Sequence, residues 1–257
     1  MPPLSKLASL LRSDAHNEDP GSYHKLRSRI LIWVLPFVAI GMKRGAMTRE
    51  EIIKKIIRYE WEMFQKVNEG GFRAPCQESP ETFTAMRMAQ YTPWSDDALM
   101  AWLQDLALAG ISDVNLVEQK YIRMMESTEP ERFEELSYLL LPVSQAVEQL
   151  AQTLSETLLA QDVALTAEYP LLTGRGRPST AEGDTHFDTS IETYQTGEFL
   201  TYSVNTLNLL LKQVKELEKQ RKSFVEEILK ATVQIYGYET LDEAETALER
   251  IQSLAGL

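Results

Sequence analysis

From Thr48 onward the chain is punctuated by helix starts. Capping residues stand before segment after segment whose apolar positions recur three and four apart, and no stretch alternates apolar and polar residues as a half-buried strand does. Thr48 with Glu51, and Thr240 with Glu243, have the spacing at which a hydroxyl and a carboxylate each satisfy the other's free backbone donor. Ser79 precedes Pro80, which suits the first helical position, and Ser95 precedes Asp96 and Asp97, whose charges favour the positive end of the helix dipole. The pattern predicts an all-α fold: a single compact multi-helix domain with helices near 22–44, 48–68, 80–91, 96–109, 113–127, 131–139, 144–168, 189–195, 198–233 and 241–254. One long loop, 169–187, interrupts it and is read as functional.

Charge narrows the partners. The 257 residues hold 26 Lys and Arg against 38 Asp and Glu, a net charge of −12, so no nucleic acid is expected as a ligand. The imbalance is uneven: residues 1–58 carry 11 bases and 5 acids, the remainder 15 bases and 33 acids. This divides the chain into a basic N-terminal helical extension, 1–45, and an all-helical main domain, 46–257. The most apolar run, Ile30 to Met42, is interrupted by Pro36 and is shorter than the roughly 20 residues a membrane span needs. It reads as a buried helix, and no membrane partner is expected. A single cysteine, Cys76, excludes an internal disulfide framework and any thiolate-built metal site, which points to a cytoplasmic setting.

Several polar residues fall where chemistry could use them. Glu60 lies on the apolar stripe of Ile53, Ile56, Ile57, Phe64 and Val67, and a carboxylate facing a core must be paired, hold a proton or form part of a site. Cys76 sits ahead of a helix N-terminus, where it is either a small buried apolar residue or an activated thiol. Arg87 and Gln90, and Lys120 and Arg123, are three apart beside Met86 and Met124, and could clamp a carboxylate or phosphate or else face solvent. Between Phe133 and Leu211 eleven acids meet two bases, Arg175 and Arg177, both in loop 169–187. After them come Asp184, His186, Asp188, Thr189, Glu192, Tyr194, Glu198 and Tyr202. Asp184, His186 and Asp188 would share one side of an extended chain and could hold a divalent metal; equally, Asp188 or Thr189 caps the next helix, with Thr189 and Glu192 at capping-box spacing. No phosphate loop, zinc-protease pair or serine-hydrolase elbow is present.

The runs Tyr59-Glu60-Trp61-Glu62-Met63-Phe64, Asn68-Glu69-Gly70-Gly71, Cys76-Gln77, Met86-Arg87, Lys120-Tyr121, Arg123-Met124-Met125, Asp188-Thr189-Ser190, Glu192-Thr193-Tyr194 and Gly197-Glu198 resemble a mostly bacterial family known as the domain of unknown function 4125, over roughly residues 45 to 240. The resemblance implies an all-helical fold and, in some members, fusion to a nucleotidyltransferase-like domain. It brings no reaction with it. It does single out Glu60, Cys76, Gln77, Arg87, Lys120, Arg123, Asp188, Thr189, Glu192, Tyr194 and Glu198 as lying within family motifs.

The expectation is a small-molecule enzyme whose pocket lies between helix 48–68, helix 113–127 and the helix beginning near Thr189, lidded by the loop. Its substrate would be amino-acid-like or a carboxylate, and its chemistry acid–base: a lyase, hydrolase or group transferase. Glu60, Glu198 and Tyr194 are the expected catalytic residues, with Glu60 or Glu198 raised in pKa by partial desolvation. Cys76, Gln77, Arg87, Lys120, Arg123, Arg177, Asp188, Thr189, Glu192 and Tyr202 are expected to bind substrate. No cofactor is expected, with a divalent metal as the variant. The alternative is a helical adaptor module beside a nucleotidyltransferase-like partner, its charged groups spread over exposed faces. A homo-oligomer fits either reading.

Overall fold

The computed structural model describes residues 47–67, 75–174 and 176–255, except for the side chains of Pro75, Cys76 and Ala255. The chain divides into two units, Met1–Thr48 and Arg49–Leu257, and the described helices belong to the second. The expected extension 1–45 with its helix 22–44, the Asn68–Gly71 run and Arg175 lie outside the described residues.

Eleven α-helices and no strand occur among the described residues: α1 Arg49–Phe64, α2 Pro80–Tyr91, α3 Asp96–Ile111, α4 Leu116–Thr128, α5 Pro130–Leu136, α6 Gln145–Glu168, α7 Pro170–Thr173, α8 Ile191–Phe199, α9 Val204–Lys219, α10 Phe224–Ile235 and α11 Leu241–Ala255. The fold is all-α, and no helix among the described residues is long and apolar enough to cross a membrane. Side-chain oxygens of Ser95, Asn115, Ser144, Ser203 and Ser223 accept from backbone donors in the first turns of α3, α4, α6, α9 and α10. Thr240 accepts from the Glu243 N–H at 3.1 Å, but the Glu243 carboxylate accepts from the N–H of Glu239, one residue before the position a capping box requires. Ser79 makes no capping bond; Pro80 alone marks the start of α2.

The expected helix 198–233 is three pieces. α8 runs on to Phe199, α9 restarts under the Ser203 cap, and α10 restarts under Ser223. Asp105 on α3 forces the first break, because its carboxylate accepts from the Ser203 N–H at 3.1 Å and the Thr206 hydroxyl at 2.6 Å. The second break is a left-handed stop at Arg221 (φ 58°), where the N–H groups of Arg221 and Lys222 return to the carbonyls of Glu218 and Leu217. Asp113 (φ 55°) ends α3 in the same way. Glycine is the usual residue for that turn, so arginine and aspartate there gave no warning.

α1 buries Ile52, Ile53, Ile56, Ile57, Glu60, Met63 and Phe64, a stripe at helical spacing, against α3, α2 and α4. α3 is mostly apolar, burying Leu99, Trp102, Leu103 and Leu106 in the core. α8 packs between α4 and α6, while α10 joins α2 to α6. A second cluster of Leu165, Val233, Leu241 and Ala244 sits where α6, α10 and α11 meet. Gly197 of α8 faces α4 so closely that a Cβ there would stand 3.2 Å from the Lys120 carbonyl oxygen and from Met124 Cγ. That approach sets Glu198 beside Lys120.

Candidate functional site

Glu60 completes the stripe of α1 and is wholly buried, so its carboxylate needs donors from other helices. Trp102 Nε1 of α3 donates to Glu60 Oε1 at 3.1 Å, and the Tyr91 hydroxyl of α2 donates to the same atom. Glu60 Oε2 accepts no aligned hydrogen bond among the described residues, although Arg87 Nε lies 3.3 Å away. Burial pushes the Glu60 carboxyl up, Arg87 pulls it down, and the Glu198 charge adds to the rise, leaving it above its ordinary value.

Arg87 is the joint. Its Nη1 donates to Gln90 Oε1 at 2.5 Å and to Glu198 Oε1 at 3.0 Å. Glu198 also accepts from Gln90 Nε2 at 3.0 Å, from the Tyr202 hydroxyl at 2.7 Å and from Lys120 Nζ. Burial alone would raise the Glu198 carboxyl, but the charges of Arg87 and Lys120 and the bonds from Lys120 and Tyr202 hold it well below the usual carboxylate range. Of the two glutamates expected to be raised, Glu60 is and Glu198 is not: both are buried, but Glu198 is met by two cations and Glu60 by one. Burial and the glutamate charges push the hydroxyls of Tyr91 and Tyr202 well above a phenol's ordinary value, so both remain donors.

Above the cluster opens a cavity of about 1580 Å³ lined by Arg87, Gln90, Arg177, Asp188, Tyr194 and Glu198, among others. Glu60, Lys120, Tyr202 and Arg123 are not in its wall. The stacked rings of Phe83, Phe64 and Tyr121, with centroids 5.5 and 5.9 Å apart, form one side of it. Arg87 Nη2 donates to no group among the described residues, while its residue is only 6% exposed and faces this cavity. The Tyr194 ring lies between Lys120 Nζ, 3.2 Å from its centroid, and the Arg177 guanidinium, 4.7 Å away. Its hydroxyl makes no hydrogen bond within the described residues.

The remaining candidates scatter. Gln77 is buried and donates to the carbonyls of Phe64 and Val67 at 2.7 and 3.1 Å, closing the end of α1. The side chain of Cys76 lies outside the described residues. Arg123 does not share the Lys120 face: its Nη2 donates to the Leu141 carbonyl at 2.9 Å, its Nε is buried without a partner among the described residues, and desolvation lowers its pKa. Three positions on a helix are offset by about 60°, enough here to send the two bases apart.

Residues 169–174 and 176–190 are a built strap, with short helix α7 and a 3₁₀ turn at Ala181–Gly183. Asp184 fixes it: Ser190 N–H, the Thr193 hydroxyl and the Ser127 hydroxyl each donate at 2.5 Å. Partial desolvation works against these bonds, but they hold Asp184 below its ordinary value. The Glu192 carboxylate accepts from the Ala181 N–H at 2.8 Å, and the Thr189 carbonyl accepts from Arg177 at 2.9 Å. Ser190, not Asp188 or Thr189, caps α8, accepting from the Thr193 N–H at 3.1 Å. Asp188 is exposed at the cavity wall, and His186 is exposed with Nδ1 3.8 Å from Glu129. Among the described residues no three His, Cys, Asp or Glu side chains gather as a metal site.

Tyr91, Trp102 and Asp105 were missed. The available signal was indirect: a buried glutamate requires apolar side chains with polar tips on facing helices, and tyrosine and tryptophan are those residues.

The chain belongs to the family described as "Protein of unknown function (DUF4125)", whose model matches residues 50–246. No curated protein and no solved structure matches it.

Proposed function

We propose that the chain is an enzyme that binds a small carboxylate or amino-acid-like molecule in the inter-helix cavity and acts on it by acid–base chemistry. One observation carries the reading: a buried arginine, Arg87, presents an unpartnered Nη2 to a large cavity. A guanidinium with free N–H groups in a semi-dry hollow is matched by a carboxylate. Glu60 and Glu198 hold Arg87 from behind and so orient it. Tyr194 is the proton donor and acceptor, because its side chain reaches the cavity and lies beside two cations that favour negative charge developing on a bound substrate. Glu198, held charged, steadies Arg87 and Lys120, and Glu60, outside the wall, is a positioning residue. Lyase, hydrolase and transferase chemistry all use this equipment. The adaptor alternative expects charged groups spread over exposed faces, and the meeting of Arg87, Arg177 and Glu198 at one cavity supports the enzyme reading. With one cysteine in the chain, we place the protein in the cytoplasm.

The test is a thermal-shift panel of amino acids and carboxylates set against their primary amides. Acids should raise the melting temperature and the matching amides should not, since binding to the folded state stabilises it. For any acid that binds, mass spectrometry of the incubated mixture should show conversion by wild type and none by Tyr194→Phe at unchanged affinity. Equal shifts with acids and amides would remove the carboxylate reading; full turnover by Tyr194→Phe would remove the role of Tyr194.

A further inference from the structure

The cavity is larger and more one-sided than an amino acid needs. Its volume of about 1580 Å³ exceeds the about 300–1,000 Å³ usual for a drug-sized ligand. The polar groups, Arg87, Gln90, Tyr194, Glu198 and Arg177, come from α2, α8 and the strap. α8 meets α6 at Ser155, where Thr196 and Gln195 donate to the Ser155 hydroxyl and carbonyl. From that crossing the wall runs along α6 through Leu154, Leu158 and Leu165, a length of about 16 Å at the helical rise. It ends against Ile228 and Val233 of α10 and Leu248 of α11. Half-buried Asp162, with Thr166, interrupts this wall on its α6 side.

We propose that the ligand is an amphipathic carboxylate with a long aliphatic chain, its head on Arg87 and its tail along α6 toward α10 and α11. The proposal rests on the carboxylate reading above and adds the chain. A buried cation in a large, mostly apolar cavity matches both parts of such a molecule: the carboxylate takes up the Nη2 donors of Arg87, and the tail displaces water from the apolar wall that faces the cavity. A short carboxylate would leave most of the cavity wet.

Calorimetric titration of the full chain with butyrate, octanoate and dodecanoate, each below its micelle-forming concentration, tests this, with leucine and dodecanol as controls. Affinity should rise about fourfold per added methylene, and dodecanol should bind at least tenfold more weakly than dodecanoate. Binding of butyrate or leucine with no gain on lengthening would overturn the long-chain ligand and leave the carboxylate reading standing. Dodecanol binding as tightly as dodecanoate would remove the anchoring role of Arg87 and the carboxylate reading with it, and no binding by any member would overturn both. Leu248→Trp, which fills the α11 side of the cavity, should weaken dodecanoate at least tenfold and leave butyrate unchanged; unchanged affinity for both would overturn the placement of the tail.

Discussion

Two carboxylates among the described residues, Glu198 under the cavity and Asp184 in the strap, are held by opposite means. Glu198 is sealed between helices and takes its donors from α2, α4 and Tyr202, with Arg87 lying 111 positions away in sequence. Asp184 is half-buried and is served by two residues of its own segment and by Ser127, all of them neutral donors. Where water is excluded, a carboxylate stays charged only if full cations are brought to it; near the surface, hydroxyls and a backbone N–H suffice. The helices therefore depend on the first carboxylate, and only the strap depends on the second.

Removing the charge from each separates them most clearly. Glu198→Gln leaves Arg87 and Lys120 buried without their counter-charge, and urea unfolding at neutral pH should show a loss of about 3–5 kcal/mol. Asp184→Asn should cost only about 1–2 kcal/mol globally, while limited proteolysis within 169–187 accelerates severalfold. If the two losses are equal, the strap and the helices form one cooperative unit and the contrast collapses.

The pH response sharpens the same comparison within the buried cluster. Glu198 has a folded pKa below its unfolded value, so its stabilising contribution is complete above the ordinary 4.5 and is lost as pH falls through the folded value. Glu60 is raised, so its contribution is present below 4.5 and is lost as pH rises through the folded value. Glu60→Gln keeps an acceptor for Tyr91 and Trp102 and should change stability least of the three. Its melting temperature should lack the decline that wild type shows on the alkaline side of 4.5, and an unchanged decline would assign it to another group.

Much of the site could be read along the chain, because single helices display their own logic. The stripe of α1 exposes Glu60 as an anomaly, and the polar run ending in Gly197-Glu198 marks α8. Pairings between helices could not be read. Lys120 and Arg123 look equivalent at three-residue spacing, yet one meets Glu198 and the other the Leu141 carbonyl. Asp184, His186 and Asp188 suggest a ligand set only if the strap is extended; the turn that Asp184 itself builds removes that geometry.

The sequence by itself determined the helical class, most starts of the helices and the presence of an acid on a buried stripe, because caps, periodicity and desolvation are properties of a few neighbouring residues. Tertiary structure decided which cations meet which carboxylates, where the expected helix 198–233 breaks, and that Glu198 stays charged while Glu60 is pushed toward its neutral form. Those outcomes depend on distances between helices and on the loss of water between them, and neither quantity exists until the chain has closed on itself.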